Sequence, residues 1–306
     1  MDPLSEVLAL LRPTSIGFRG LDVGPRWALS FGAWPGLKCY AMATGACCLW
    51  VDGLAEPITM RAGDLVMLPR GQAYRLGSSD DVPALDALSF FDGVVPGGVA
   101  VIDGGGASSG VGGYFGFEGP NADQLLGVLP AVIHLQGTEK SLSLRAAIER
   151  MMQELRDPQP GGALIAGHLA QTLLIEALRV HLHDPAVRGA NWLLALSDRQ
   201  IAVALGAMHG DPARPWTLTS LAKEAGLSRS GFAARFRELV GEPAMAYLTR
   251  WRMMLAADRL MTAARPISVL AGDLGYGSES AFSAAFKRVH GTSPRDFAKR
   301  RAASEG

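Results

Sequence analysis

Two stretches of this 306-residue chain repeat the same residue types at the same spacing, 50 positions apart. Counted from Ser228 and from Ser278, each has Phe at +4 and +8, Ala at +6, a cation at +9 and Gly at +13. Serine suits a helix N-cap, because its hydroxyl accepts from a backbone N–H that would otherwise lack a partner. Phe232 with Phe236, and Phe282 with Phe286, stand four apart, so each pair shares one helix face that would be buried. Ala222 and Ala271 are small enough for two helices to cross closely, and Gly226 and Gly275 can take the positive φ of a tight turn. Gly241 and Gly291 end the helices, with Pro243 and Pro294 soon after. The chemistry is that of paired helix-turn-helix units, with short polar side chains for base edges and cations for phosphates. One such pattern could be an ordinary amphipathic helix pair; two in register point to DNA. The charge agrees. From 197 onward there are 16 Lys+Arg against 10 Asp+Glu, net +6, whereas 1–196 holds 13 against 19, net −6.

Other reactive side chains are few. Cys39, Cys47 and Cys48 form no CxxC pair, and an odd number makes a poor disulfide framework, so a reducing cytoplasm suits them. In a hairpin turning at Thr44-Gly45, Cys39 and Cys48 would share a face diagonally, which leaves thiol oxidation open beside the reading of small core residues. Residues 1–133 contain no histidine. His134, His168, His181, His183 and His209 are dispersed in or near expected helices, and His181-x-His183 puts two rings on different helix faces, a poor chelate. His290 falls at the end of the second recognition helix. No Ser/His/Asp or Cys/His constellation can be read, so no enzyme is expected.

These residues need elements to position them. Leu4, Val7, Leu8 and Leu11 predict a short helix over 1–12. From about 15 to 118 the texture is short apolar runs between Gly and Pro (Trp27–Phe31, Leu37–Met42, Cys47–Val51, Leu65–Leu68, Ala87–Phe91), as in a many-stranded β domain. Gly93–Gly113 reads as a mobile loop around a short strand. Leu142–Leu155 and Ala163–Leu182 read as helices, either packed on their own sheet or paired with a second copy of the chain. Asp184–Asn191 reads as a linker. Ala244–Ala263 lacks Gly and Pro and predicts one helix about 30 Å long, close to the ~34 Å turn of B-DNA that separates paired recognition helices. The acidic N-terminus has no basic stretch typical of a signal peptide, and no run of about 18 apolar residues suggests a membrane span. The expected fold class is α+β with two domains. A β-rich domain with trailing helices at 142–182 covers 1–190, and an all-α domain covers 197–303 with units at about 217–240 and 266–290.

The helical half resembles the AraC/XylS family of regulators between about Ser197 and Arg300. Its most specific pieces are Leu221-Ala222, Gly226-Leu227-Ser228, Tyr247-Leu248-x-x-Trp251-Arg252, Asp273-Leu274-Gly275-Tyr276 and Phe282-x-x-x-Phe286-Lys287-Arg288. The resemblance implies a bacterial transcription regulator, an activator in many relatives, with double-stranded DNA and RNA polymerase as partners. It implies base-facing positions at Ser230, Ala233 and Ala234 in the first unit and Glu279, Ser280 and Ala284 in the second. Many relatives carry larger polar residues at some of these; alanine can touch a thymine methyl but donates no hydrogen bond. Arg229, Arg237, Lys287 and Arg288 are the phosphate-contact candidates, with a solvated helix face as the plain alternative.

The N-terminal half resembles the cupin-type sensor domain of a subset of these regulators, through Gly63-x5-Pro69-x-Gly71-x2-Tyr74. That implies a small β-barrel. Cupins usually place a metal-binding His where Tyr74 stands, and Lys38-Cys39-Tyr40 occupies the strand of the earlier HxH pair, so neither metal nor cofactor is expected. The leading expectation is an organic effector in the barrel, with Tyr40, Trp50, Arg61, Arg70 and Tyr74 as candidate lining. Some relatives respond to oxidants, which keeps Cys39, Cys47 and Cys48 as redox candidates. A cupin metalloenzyme is the third reading, opposed by the missing histidines.

Overall fold

The computed structural model describes residues 2–92, 98–137, 142–184, 189–263 and 265–304. Residues 93–97 of the expected Gly-rich loop and 185–188 of the expected linker lie outside them. The chain forms two compact units that do not follow chain order. One combines 1–12, 118–128 and 185–306; the other combines 13–117 and 129–184. The expected boundary near 190 therefore misses two excursions, because short apolar segments carry no mark of which core they join.

The first unit is helical. Helix α1 (Pro3–Leu11) is capped by Asp2, whose carboxylate accepts from Ser5 N–H, and buries Leu4, Val7, Leu10 and Leu11. It packs against α6 (Arg199–Gly210). Arg12 pairs with Asp258, and Asn121 donates to the Met254 carbonyl at 3.0 Å, so both excursions are tied to one long helix, α9 (Ala244–Thr262). At 19 residues α9 spans about 28 Å. Helices α7 (Leu218–Glu224) and α8 (Arg229–Val240) form one helix-turn-helix; α10 (Ile267–Asp273) and α11 (Glu279–His290) form the other. Both α8 and α11 pack on α9, and α12 (Pro294–Ser304) closes the second unit.

The second unit holds two sheets. Strands β1 (Pro13–Val23), β3 (Leu37–Thr44), β6 (Leu65–Leu68), β9 (Val99–Ile102), β10 (Ser108–Phe117) and β11 (Ile133–Leu135) form one, ordered β11-β6-β3-β10-β1-β9. Strands β2 (Ala28–Phe31), β4 (Ala46–Val51), β5 (Ile58–Arg61), β7 (Tyr74–Gly77) and β8 (Leu85–Asp86) form the other, ordered β5-β4-β7-β2-β8. Leu21, Tyr40, Met42 and Val66 of the first face Leu29, Leu49, Met60 and Leu76 of the second in one apolar core. The cupin-like domain is thus two open sheets; among the described residues no ladder closes them into the expected barrel. The outer face of the larger sheet is covered by α4 (Leu142–Arg156) and α5 (Gly162–Leu182), so these helices pack on their own sheet. By length and composition α5 is apolar enough to cross a membrane, but its buried Ala170, Leu173, Leu174 and Ala177 lie among its contacts with α4 and β1.

Two local expectations fail for stated reasons. The chain does not make a hairpin at Thr44-Gly45: β3 and β4 belong to different sheets, and Gly45, at φ +72°, turns the corner between them. A Cβ there would come within 2.6 Å of the Ala107 carbonyl, so only glycine lets the strands pass. The Gly-rich stretch up to 113 is not mostly loop either. Residues 108–117 form a ten-residue central strand paired with β1 and β3 on both edges.

Candidate functional site

The helix-turn-helix units are built as their residue types dictate. Thr217 and Ser220 make a capping box that starts α7. Ser228 accepts from Gly231 N–H at 3.1 Å and Ser278 from Ala281 N–H at 3.2 Å, which sets the first turn of each recognition helix. Gly241 and Gly291 end them in the left-handed conformation. Phe232, Phe236, Phe282 and Phe286 are fully buried. Their burial leaves the opposite faces in solvent. Ser230 and Ala234 are exposed and Ala233 half-buried on α8; Glu279, Ser280 and Ala284 are exposed on α11. Arg229, Arg237, Lys287 and Arg288 are exposed as well. All ten residues therefore lie on the sides of α8 and α11 that the core leaves uncovered. The Glu279 carboxylate has a neighbour, Arg295 of α12, at 3.5 Å. Arg235, the one recognition-helix cation absent from that set, is held by Asp198, which also caps α6.

His209 is a brace inside this unit. Its Nε2 bonds the Tyr247 hydroxyl at 2.7 Å, and its ring stacks on Trp251 at 3.7 Å. Burial, with the Arg250 charge adding to it, pushes its pKa down to about 3. At the end of α11 the His290 ring lies beside Phe286 and Phe297, and its Nε2 is 3.0 Å from the Met253 carbonyl.

The sheet unit contains a cavity of about 420 Å³. Of the expected lining, Tyr40 and Tyr74 border it. Trp50, Arg61 and Arg70 do not. Trp50 is on the outer face of its sheet beneath Arg75, whose guanidinium is 4.4 Å from the ring centroid, and Arg61 and Arg70 are exposed. Strand alternation explains the Trp50 error: Leu49 and Val51 point into the core, so Trp50 points out. The polar residues missed are Arg19, Asp92 and Tyr114. Arg19 shares the inward side of β1 with Leu21 and Val23, directly after a bulge that inserts one residue between Ile16 and Arg19. A cation in an otherwise apolar inward alternation was the available signal. The glycines of β10 make room: a Cβ at Gly112 would stand 2.7 Å from the Tyr40 ring.

The redox expectation loses its geometry. Cys47 points into the core, its Sγ 3.5 Å from Met42 Sδ, while Cys39 alternates with the core residues Tyr40 and Met42 and so faces the other way. Cys48 lies on the outer side of the second sheet, half-buried. No two of the three share a face. Burial pushes the Cys39 and Cys47 thiols up to about 12, away from the reactive thiolate.

The inward side chains do not fit the metal that cupins often hold. The positions facing the cavity carry Tyr40 and Tyr74, phenols that burial keeps neutral, and no imidazole. His134 instead lies 3.2 Å from Asp64, a buried carboxylate that also accepts from Arg61 and Gly137 N–H and so ties down the turn at 61–64.

Known proteins place both halves. A cupin family model matches residues 2–183, and a helix-turn-helix domain model matches residues 221–300. An AraC-like transcription regulator of Streptomyces antibioticus is 40% identical over 300 residues, covering 98% of this chain and 99% of that one. The HTH-type transcriptional regulator AlkR of Acinetobacter baylyi is 32% identical across 97% of this chain and 99% of its own. The RCS-specific HTH-type transcriptional activator RclR of Escherichia coli is 28% identical across 98% of each. With two capped recognition helices on one unit and the cupin match over the rest, the chain belongs to the AraC family of transcription regulators and carries an N-terminal cupin domain.

Proposed function

We propose that this regulator reads DNA through the exposed sides of α8 and α11 and is controlled by a small organic effector held between the two sheets of the cupin domain. The carrying observation is the uncovered, cation-flanked face that both recognition helices present. Ser230, Glu279 and Ser280 supply polar groups for base edges, and Ala233, Ala234 and Ala284 allow close approach to thymine methyls. Arg229, Arg237, Lys287 and Arg288 neutralise phosphates and give affinity without sequence information. The effector shifts the DNA-binding state only as far as it prefers one conformation of the protein over another. RNA polymerase is the partner expected of an activating member of the family.

Fluorescence anisotropy of the full chain on selected target DNA tests the central part. Four phosphate contacts give a slope of log K against log salt of roughly −3.6. Binding that is absent at low salt, or indifferent to salt, overturns the DNA-reading assignment.

A further inference from the structure

Three phenols, one guanidinium and one carboxylate border the cavity: Tyr40, Tyr74, Tyr114, Arg19 and Asp92. Tyr40 and Tyr74 are 5% and 7% exposed, and both border the cavity. Among the described residues neither phenol oxygen has a protein hydrogen-bond partner. Each hydroxyl is thus available to a ligand or water at the cavity edge. Burial raises both phenols well above their ordinary range, and the Tyr74 hydroxyl lies close enough to Tyr114 and Tyr40 for their charges to raise it further. These groups stay protonated and can donate. Tyr114, half-buried, lies within the field of the Arg19 guanidinium. Arg19 gives one N–H to the Phe91 carbonyl at 2.9 Å and lies 5.1 Å from the Phe91 ring, which leaves most of its five N–H donors free.

Beside these donors the wall is apolar. Phe31 stacks on Tyr74 at 4.4 Å between centroids, and Leu21, Phe91 and Leu88 complete the side. Leu88 is 70% exposed, at the mouth. Asp92 also borders the cavity; it is exposed, with no cation within salt-bridge distance among the described residues. The carboxylate is therefore solvated, whereas Arg19 and the phenols each have an N–H or O–H to donate.

We infer that the cavity takes a compact monocarboxylic acid, its carboxylate met by Arg19 and the Tyr40, Tyr74 and Tyr114 hydroxyls and its apolar body laid against Phe31 and Phe91. A carboxylate is an acceptor with about four lone-pair sites, which matches a guanidinium and several phenols. The cavity volume of about 420 Å³ lies within the range of small-molecule sites. This assignment rests on the effector reading above and names the chemical class that the reading leaves open.

Isothermal titration calorimetry on the full chain tests it, with benzoate, phenylacetate and octanoate each compared with its primary amide. The expected result is a carboxylate that binds about tenfold or more tighter than its amide, as a charge-assisted bond implies. Arg19→Gln abolishes that preference by weakening the acid far more than its amide. Tyr40→Phe and Tyr74→Phe weaken carboxylate binding several-fold in a protein whose core shape is kept, so the test survives if the Arg19 variant folds poorly. An amide that binds as tightly as its acid, with no response to Arg19→Gln, overturns the carboxylate assignment and leaves the effector cavity standing. No binding by any of the six probes overturns both.

Discussion

The two helix-turn-helix units share a template and differ in how they are braced. The first starts on a capping box, Thr217 with Ser220, and its turn runs Gly226-Leu227-Ser228. The second starts at Pro266 without a side-chain cap, and its turn is one residue longer, Gly275-Tyr276-Gly277-Ser278. Tyr276 fills the extra length: its ring meets Phe282 edge-on at 5.6 Å and lies under Arg252 at 5.7 Å. Behind the first unit stands the His209–Tyr247–Trp251 stack; behind the second, Phe286 packs edge-on against Phe297 of α12 at 5.3 Å. The first recognition helix opens with Arg229 and the second with Glu279. A shared hydrophobic template thus makes the two helices similar in pose and opposite in the charge of their leading residue. Such a pair suits a target whose two halves differ in sequence, in contrast to the palindromes of symmetric dimers.

The largest effect expected comes from the shared template. Phe236→Ala and Phe286→Ala, at the same repeat position and both fully buried, should each lose about 3–5 kcal/mol in denaturant unfolding of the full chain. A difference of more than about 2 kcal/mol between them would show that the units are not equivalent modules. The turn glycines should separate next. Gly226→Ala and Gly275→Ala both place a Cβ at positive φ, which costs about 1–2 kcal/mol. At Gly275 the Cβ would also stand 2.3 Å from the Ala213 carbonyl oxygen, while nothing crowds Gly226. Thermal unfolding should therefore show the larger loss at 275, and equal losses would remove the claim that the second turn is packed.

Binding should then distinguish a base-reading residue from a phosphate contact. Glu279→Ala should cost about 1–3 kcal/mol on the preferred site and relax base choice under α11. Arg237→Ala should weaken all sequences alike and lower the salt slope by about one. Selection from random DNA checks this: an unchanged motif for the Glu279 variant removes its base-reading role.

The brace behind the first unit also makes it sensitive to acid. His209 binds no proton in the folded unit until about pH 3, whereas the unfolded chain takes one up near 6.5. The unfolded state then holds more protons across that window, so stability is whole above about 6.5 and is lost as pH falls toward 3, by about 1.4 kcal/mol per pH unit. His209→Phe should flatten that share of the slope in chemical unfolding followed between pH 4 and 7. An identical slope in the variant would show that the stack does not sense acid.

Much of the helical unit was legible because its signals are local. Serine caps, glycine stops and four-residue Phe spacing each act within one turn of helix, and the structure places α7, α8, α9, α10 and α11 over the residues those signals mark. The cavity was less legible. Tyr40 and Tyr74 were named from the cupin resemblance, but Arg19 and Tyr114 meet them only because β10 brings β1 and β3 together, and nothing in a local window reports a neighbour on a distant strand.

The sequence by itself determined the chain's two textures, the paired helix-turn-helix units and the absence of histidine before residue 134, since each depends on residue identity or short-range spacing alone. Only the tertiary structure decided which apolar faces meet. It assigned α1 and residues 118–128 to the helical unit, sent β4 into the other sheet at Gly45, and turned the glycines of 110–113 from apparent loop into a central strand that leaves room for Tyr40. The physical reason is common to all three: apolar burial is non-directional, so a hydrophobic segment encodes that it must be covered, while the partner that covers it is chosen by long-range packing.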